Sequence, residues 1–300
     1  MLEILDTIDE TRRWIAAIGP DATERAKLAS EYGVPEHVVA HALDEKERPR
    51  VALEEGVTLV VLRTPIRMPE GSDVPWSTTP ISLALTARDV VTIAPRETDM
   101  LSRARVVAAS EGACATHRVV IAHLRATADA FLDATAQIER AIDAEEANLG
   151  RSMGNREVFA LVRLMKSLVH FTAALRSVEV VVERLKHTPW LEVPEEDRGA
   201  LEDTLIELRQ ALETCNLERE TLGATMDAFA SIISNNLNDV MKLLAAVTVI
   251  LTPPLAIAGY WGMNVPLPWA DRPWSFAALI ALSVALSFVC ALELRRRRWM

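Results

Sequence analysis

AGYWGMNVPLPWADRPW, residues 258–274, lies between two apolar runs near the end of the sequence. It holds four aromatic residues but only one acid, Asp271, and one base, Arg272. Before it, residues 243–262 read LLAAVTVILTPPLAIAGYWG without a charge. After it, SFAALIALSVALSFVCAL at 275–292 is also uncharged, and Glu293 follows. Twenty helical residues rise roughly 30 Å, the thickness of a bilayer core. The pattern predicts two transmembrane helices, at about 243–262 and about 275–294, joined by an outer loop at 263–273.

The flanks agree. Trp261, Trp269, Trp274 and Trp299, four of the seven tryptophans, stand at the ends of these runs, where interfacial aromatics belong. RRRR at 295–298 puts the C-terminal end in the cytoplasm by the positive-inside rule. Two spans then return the preceding body to the same side. The expected location is an inner or plasma membrane, with both termini cytoplasmic. MLEILDTIDETRRW at 1–14 lacks a basic region followed by an apolar core and is not read as a secretory signal.

Composition fits a membrane protein with an acidic body. Half of the 300 residues are hydrophobic, and the mean hydropathy is +0.14. Residues 241–300 hold six bases and two acids, a net of +4; with −10 overall, residues 1–240 carry −14. Such a body repels nucleic acid and is compatible with divalent cations. Cys114, Cys215 and Cys290 are odd in number and far apart, which suits neither a zinc site nor a disulfide framework.

Residues 22–48 predict helix broken at Gly33 and Pro35. Strand-like runs follow at 56–66, 80–87 and 89–95, rich in Val, Thr, Leu and Ile. Together they make a cytoplasmic α/β domain over 1–110. Residues 118–148 and 155–188 predict two long helices. A third starts near Glu195 with a seam of Leu201, Leu205, Leu208, Leu212 and Cys215, then Leu222, Met226, Phe229 and Ile233, interrupted at Arg219. No proline or glycine cluster parts it from the first apolar run. One helix is therefore expected from about 197 to 261, roughly 95 Å long. The expected division is an α/β domain at 1–110, a helical bundle and stalk at 111–240, and a membrane domain at 241–300.

NLNDVMKLLAAVTVILTPPLAIAGYWGMN, residues 236–264, resembles the first membrane helix of the CorA-type magnesium transporters. The likeness rests on Asn238, Met241, Lys242, Leu244, Pro253 and the motif Gly262, Met263, Asn264, with the basic RRRRW end in support. More weakly, LASEYGVPEHVVAHALDEKERPRV at 28–51 looks like that family's helix-then-strand entry. The resemblance implies an α+β membrane protein assembled as a funnel-shaped homopentamer. The first membrane helix of each copy would line a pore that moves Mg²⁺, and often Co²⁺ or Ni²⁺. Partners are then further copies of the chain, the lipid bilayer and divalent cations. Mg²⁺ is cargo and a candidate regulatory ion. The same likeness counts Asp227 and Asp203 as candidate regulatory carboxylates.

Mg²⁺ sheds its waters reluctantly, so such a pore can hold the hydrated ion. Five copies of Asn264 would ring the outer mouth with neutral amide oxygens. Gly262 would let the backbone turn, and Met263 would pack, since a thioether suits a hard cation poorly. Asn238, Thr248 and Thr252 fall roughly on one face as candidate lining. Met241 and Leu244 are a candidate hydrophobic gate, and Lys242 is expected to snorkel to the interface. The plainer reading of this face is helix packing, with the threonines bonded to their own backbone. Pro253 and Pro254 remove two intrahelical donors and predict a loosened turn.

A Zn²⁺ or broader divalent-cation transporter of the same architecture is one alternative. A non-conducting membrane-anchored scaffold is another. His37 and His41 have the spacing of paired zinc ligands but no matched third ligand, and are read as ordinary histidines. The same holds for Cys114 and His117. No nucleotide-binding or hydrolase motif occurs, and nothing suggests an enzyme.

Overall fold

The computed structural model describes residues 2–8, 12–111, 115–152, 155–189, 191, 193–264, 272–297 and 299. The chain forms two compact units, Met1–Ala224 and Thr225–Met300.

The first unit is built on a six-stranded sheet. Its strands are β1 (Leu2–Thr7), β2 (Arg13–Ile18), β3 (Arg50–Glu54), β4 (Val57–Arg67), β5 (Trp76–Leu85) and β6 (Asp89–Ala94), in the order β1-β2-β6-β5-β4-β3. Only β2 and β6 pair in parallel, with Ile15 opposite Val91 and Ala17 opposite Ile93. Arg13 locks that pair. Its Nε and Nη2 donate to the buried Asp89 carboxylate at 2.9 and 3.0 Å, a bidentate fork with more geometric specificity than a single bond.

Helices α1 (Ala22–Ser30) and α2 (Glu36–Ala42) cover one face of the sheet. Asp21 and Glu24 form a capping box that starts α1, satisfying donors the helix cannot satisfy itself. Gly33, with φ of +67°, separates the two helices, while the Val34 N–H returns to the Leu28 carbonyl at 3.0 Å. A left-handed residue followed by such a bond is how helices commonly stop. Leu28, Val38, Val39 and Ala42 bury against Ile15, Leu59, Val61 and Ile93. Burial at roughly 25 cal/mol per Å² of apolar surface is the main stabilising term here.

The opposite face carries α4 (Thr116–Ser152) and α5 (Asn155–Lys186), with α3 (Met100–Glu111) against α4. Phe131 of α4 meets Phe171 of α5 edge-on at 5.2 Å, and Trp76 of β5 extends the cluster. A polar thread links β2, β6 and α4. Trp14 Nε1 donates to Thr92 Oγ1 at 2.9 Å, Thr92 Oγ1 lies 3.1 Å from His123 Nε2, and His123 Nδ1 lies 2.7 Å from the Val119 carbonyl. Only an Nδ1 proton can serve that carbonyl, so Nε2 accepts from the threonine.

The expected continuous helix is present as α6 (Glu195–Trp261). In the first unit its seam is closed: Leu201, Leu205, Leu208, Cys215 and Leu222 are buried. Asp197, in its first turn, accepts from His117 at 2.6 Å and from Arg118 at 3.0 and 3.3 Å. Those bonds, Arg118's first, hold the Asp197 carboxyl below its ordinary pKa. In the second unit the seam opens, and Ile233 is exposed. That unit also contains α7 (Ser275–Arg296).

Among the described residues, three helices are long and apolar enough to cross a membrane: α5, α6 and α7. The apolar stretch of α5 is 44% buried, against 6% for each of the other two. α5 already has the sheet to pack on, whereas α6 and α7 present their apolar surface outward.

Candidate permeation site

From residue 241 to 261 the covered positions of α6 are Ala246, Ile250, Pro253, Pro254, Ile257 and Trp261, with Ala245 alone off that line. Steps of three and four put them on one side of the helix. α7 is covered along Leu279, Ser283, Ser287, Cys290, Ala291 and Leu294, and the two helices meet where Ser287 Oγ donates to the Ile250 carbonyl at 2.8 Å.

Met241, Leu244, Thr248, Thr252 and Leu255 lie on the opposite side of α6. At about 100° per residue they centre nearly half a turn from the α7-facing line. All five are exposed, Met241 by 55%, Leu244 by 59% and Leu255 by 75%. Asn238 is exposed as well, about a quarter turn from the middle of that side. Thr248 Oγ1 donates to the Leu244 carbonyl at 2.9 Å and Thr252 Oγ1 to the Thr248 carbonyl at 2.7 Å. The self-bonding of the plainer reading is therefore present. It spends the hydroxyl protons inward and leaves oxygen lone pairs outward. Lys242 pairs with Asp239 at 3.0 Å near the start of the apolar run.

Gly262 closes α6, its N–H bonding the Ala258 carbonyl at 3.0 Å. Its backbone is not left-handed. A Cβ there would stand 3.1 Å from the Ala258 carbonyl oxygen, a tight contact. Met263 and Asn264 follow, both exposed. Residues 265–271, including Asp271, fall outside the described residues.

Asp203 and Asp227 are both exposed on α6. Among the described residues no group of three His, Cys, Asp or Glu side chains is placed to hold a metal ion. His37 and His41 instead approach Glu54 at 3.4 and 3.7 Å, and Arg50 holds that carboxylate at 2.6 Å. His117 belongs to the Asp197 cluster, while Cys114 lies outside the described residues.

A model of the family described as CorA-like Mg2+ transporter protein matches residues 9–296. The chain belongs to that family. The CorA-like family comprises transporters of divalent cations, not enzymes, and the apolar helices α6 and α7 agree with a membrane protein. Relatives run nearly end to end. The cobalt/magnesium transport protein CorA of Methanocaldococcus jannaschii is 26% identical over 95% of this chain and 90% of its own length. The divalent cation transporter CmaX of Pseudomonas aeruginosa is 24% identical over 100% and 91%. The complete structure of the M. jannaschii CorA magnesium transporter superposes with a TM-score of 0.85 at 24% identity, covering 97% of this chain and 92% of that one. That likeness shows the CorA fold: a soluble N-terminal α/β domain, a long helix and C-terminal apolar helices.

Sequence reasoning missed Ser287. Ser283, Ser287 and Ala291 are small residues four apart, a spacing that lets membrane helices approach, but Ala277, Ala281 and Ala285 share it, so the sequence alone does not single out Ser287.

Proposed function

We propose that this chain forms a channel for hydrated Mg²⁺, and for Co²⁺ as a second cargo, lined by α6 in a homopentamer. The observation that carries the proposal is the two-sidedness of α6: one side turns to α7, and the other presents exposed Met241, Leu244, Thr248 and Thr252. A helix fully surrounded by lipid gains nothing from threonine oxygens on one strip. A shared wet axis uses them.

In this reading Asn238, Thr248 and Thr252 line the pore. Met241 and Leu244 form its apolar constriction, which conducts only when wetted. Gly262, Met263 and Asn264 form the outer mouth, where amide oxygens accept hydrogen bonds from the ion's water shell. Neutral acceptors bind such an ion weakly enough to release it. Transport is passive and inward, driven by the membrane potential on a doubly charged ion. The cytoplasmic parts are residues 1–110 and 111–240, the membrane domain is 241–300, and both termini are cytoplasmic. Asp203 and Asp227, both exposed on α6, act as regulatory carboxylates between neighbouring copies.

The test is ion uptake into liposomes containing the purified full-length chain, comparing Mg²⁺, Co²⁺ and Zn²⁺, with Asn264→Ala alongside. Mg²⁺ and Co²⁺ entry lost in Asn264→Ala supports the assignment. Equal uptake by wild type and variant rejects the mouth, and no uptake of any cation rejects the channel in favour of a scaffold. Zn²⁺ entry well above Mg²⁺ entry rejects the cargo.

A further inference from the structure

α6 loses two main-chain donors in the middle of its apolar run. The N–H of residue i ordinarily bonds the carbonyl of residue i−4, so Pro254 deprives Ile250, and Pro253 deprives Val249, of the usual partner. No bulk water replaces a lost donor inside a bilayer, so a freed carbonyl needs another.

Ile250 has one. The Ser287 hydroxyl of α7 reaches its carbonyl at 2.8 Å. The direction of that bond is informative. Ser177, Thr204, Thr214, Ser231, Thr248 and Thr252 each bond the carbonyl four residues back along their own helix. Ser287 instead crosses to the neighbouring helix, at the carbonyl that Pro254 frees. Ser283, Ser287 and Ala291 line the same groove as Ile250 and Pro254, together with Ile280, Val284 and Phe288, and the short side chain at 287 is what reaches the carbonyl.

We infer that Ser287 is a positioning residue for the permeation helix. It supplies the donor that Pro254 removes and fixes the rotation of α6 at its weakest turn. That rotation sets which residues of 255–261 turn towards α7, and with them the direction in which Gly262 and Asn264 are presented. The part of the inference that concerns ion flow rests on the channel reading above. The bond itself does not.

A double-mutant cycle separates the two. The full-length chain is compared as wild type, Ser287→Ala, Ser287→Thr, Pro254→Ala and the double variant Pro254→Ala/Ser287→Ala. Thermal unfolding in detergent and Mg²⁺ uptake into liposomes are both measured. Pro254→Ala restores the backbone N–H, so Ser287 becomes redundant in that background. Ser287→Ala alone should lower the unfolding midpoint and slow Mg²⁺ entry by roughly three- to tenfold, the lower part of the range for interhelical hydrogen bonds in lipid. Ser287→Thr should stay near wild type, and the double variant should match Pro254→Ala in both measurements. Equal losses from Ser287→Ala in both backgrounds would overturn the pairing with Pro254. Coupling in unfolding with unchanged uptake would overturn the positioning role. If wild type passes no ion, the channel reading fails while the unfolding cycle still decides the bond.

Discussion

Thr252 donates its hydroxyl to the Thr248 carbonyl at 2.7 Å, and Thr248 donates to Leu244 at 2.9 Å, so this strip of α6 offers acceptors outward and no free protons. A hydrated cation points its water hydrogens away from itself. Such a surface would suit the outer shell of a hydrated cation.

Thr252→Val keeps the shape and removes the acceptor. Mg²⁺ uptake into liposomes should fall about tenfold if the loss in the rate-limiting step is about 1.4 kcal/mol, while Thr252→Ser should retain most of it. Uptake by the valine variant equal to wild type would remove Thr252 from the lining.

Asp227 is exposed on α6, and among the described residues it belongs to no group of side chains placed to hold a metal ion. If Mg²⁺ bridges copies there, added Mg²⁺ should protect the wild-type protein from protease, and Asp227→Ala should weaken that protection. Asp203→Ala should act in the same direction. Undiminished protection in both variants would leave these carboxylates as ordinary solvated acids.

Burial pushes the His123 pKa down to about 4, against the raising effect of its bond to the Val119 carbonyl. The unfolded chain takes up this proton near pH 6.5, and the folded chain resists until about pH 4. This contribution is therefore complete above about pH 6.5 and is lost as pH falls towards 4. Its slope approaches about 1.4 kcal/mol per pH unit. His123→Gln should flatten the pH dependence of thermal unfolding across that window. An unaltered slope would show that His123 titrates normally.

How far the sequence could be read differs from element to element, and for physical reasons. β4, β5 and β6 were legible because runs such as VTLVVL and DVVTIA are rich in β-branched residues. β2 was not: RWIAAI carries two alanines and pairs in parallel with β6, more than seventy residues away. No local pattern announces such a partner. β1 alternates weakly and lies at the sheet edge beside β2. β3 ends in a hairpin whose two turn residues, Glu55 and Gly56, have φ of 50° and 80°. Gly56, expected to begin a strand, belongs to that turn. This is the geometry of a two-residue connection that matches strand twist.

The membrane half was more legible, because an unbroken apolar run needs no partner to be recognised. α6 and α7 end at Trp261 and Arg296, close to the expected limits. What the run conceals is which side faces what. That emerges only from the cover given by α7 and from the Ser287 bond, both long-range facts.

The central claim is that the strip through Met241, Leu244, Thr248 and Thr252 faces water in the assembled protein. With Cys114, Cys215 and Cys290 replaced, single cysteines at Thr248 and at Val284, an exposed α7 position, are treated with a membrane-impermeant thiol reagent in conducting liposomes. The account requires Thr248→Cys to react and Mg²⁺ entry to be blocked, with Val284→Cys inert. An inert Thr248→Cys in conducting protein, or block through Val284→Cys instead, would contradict it.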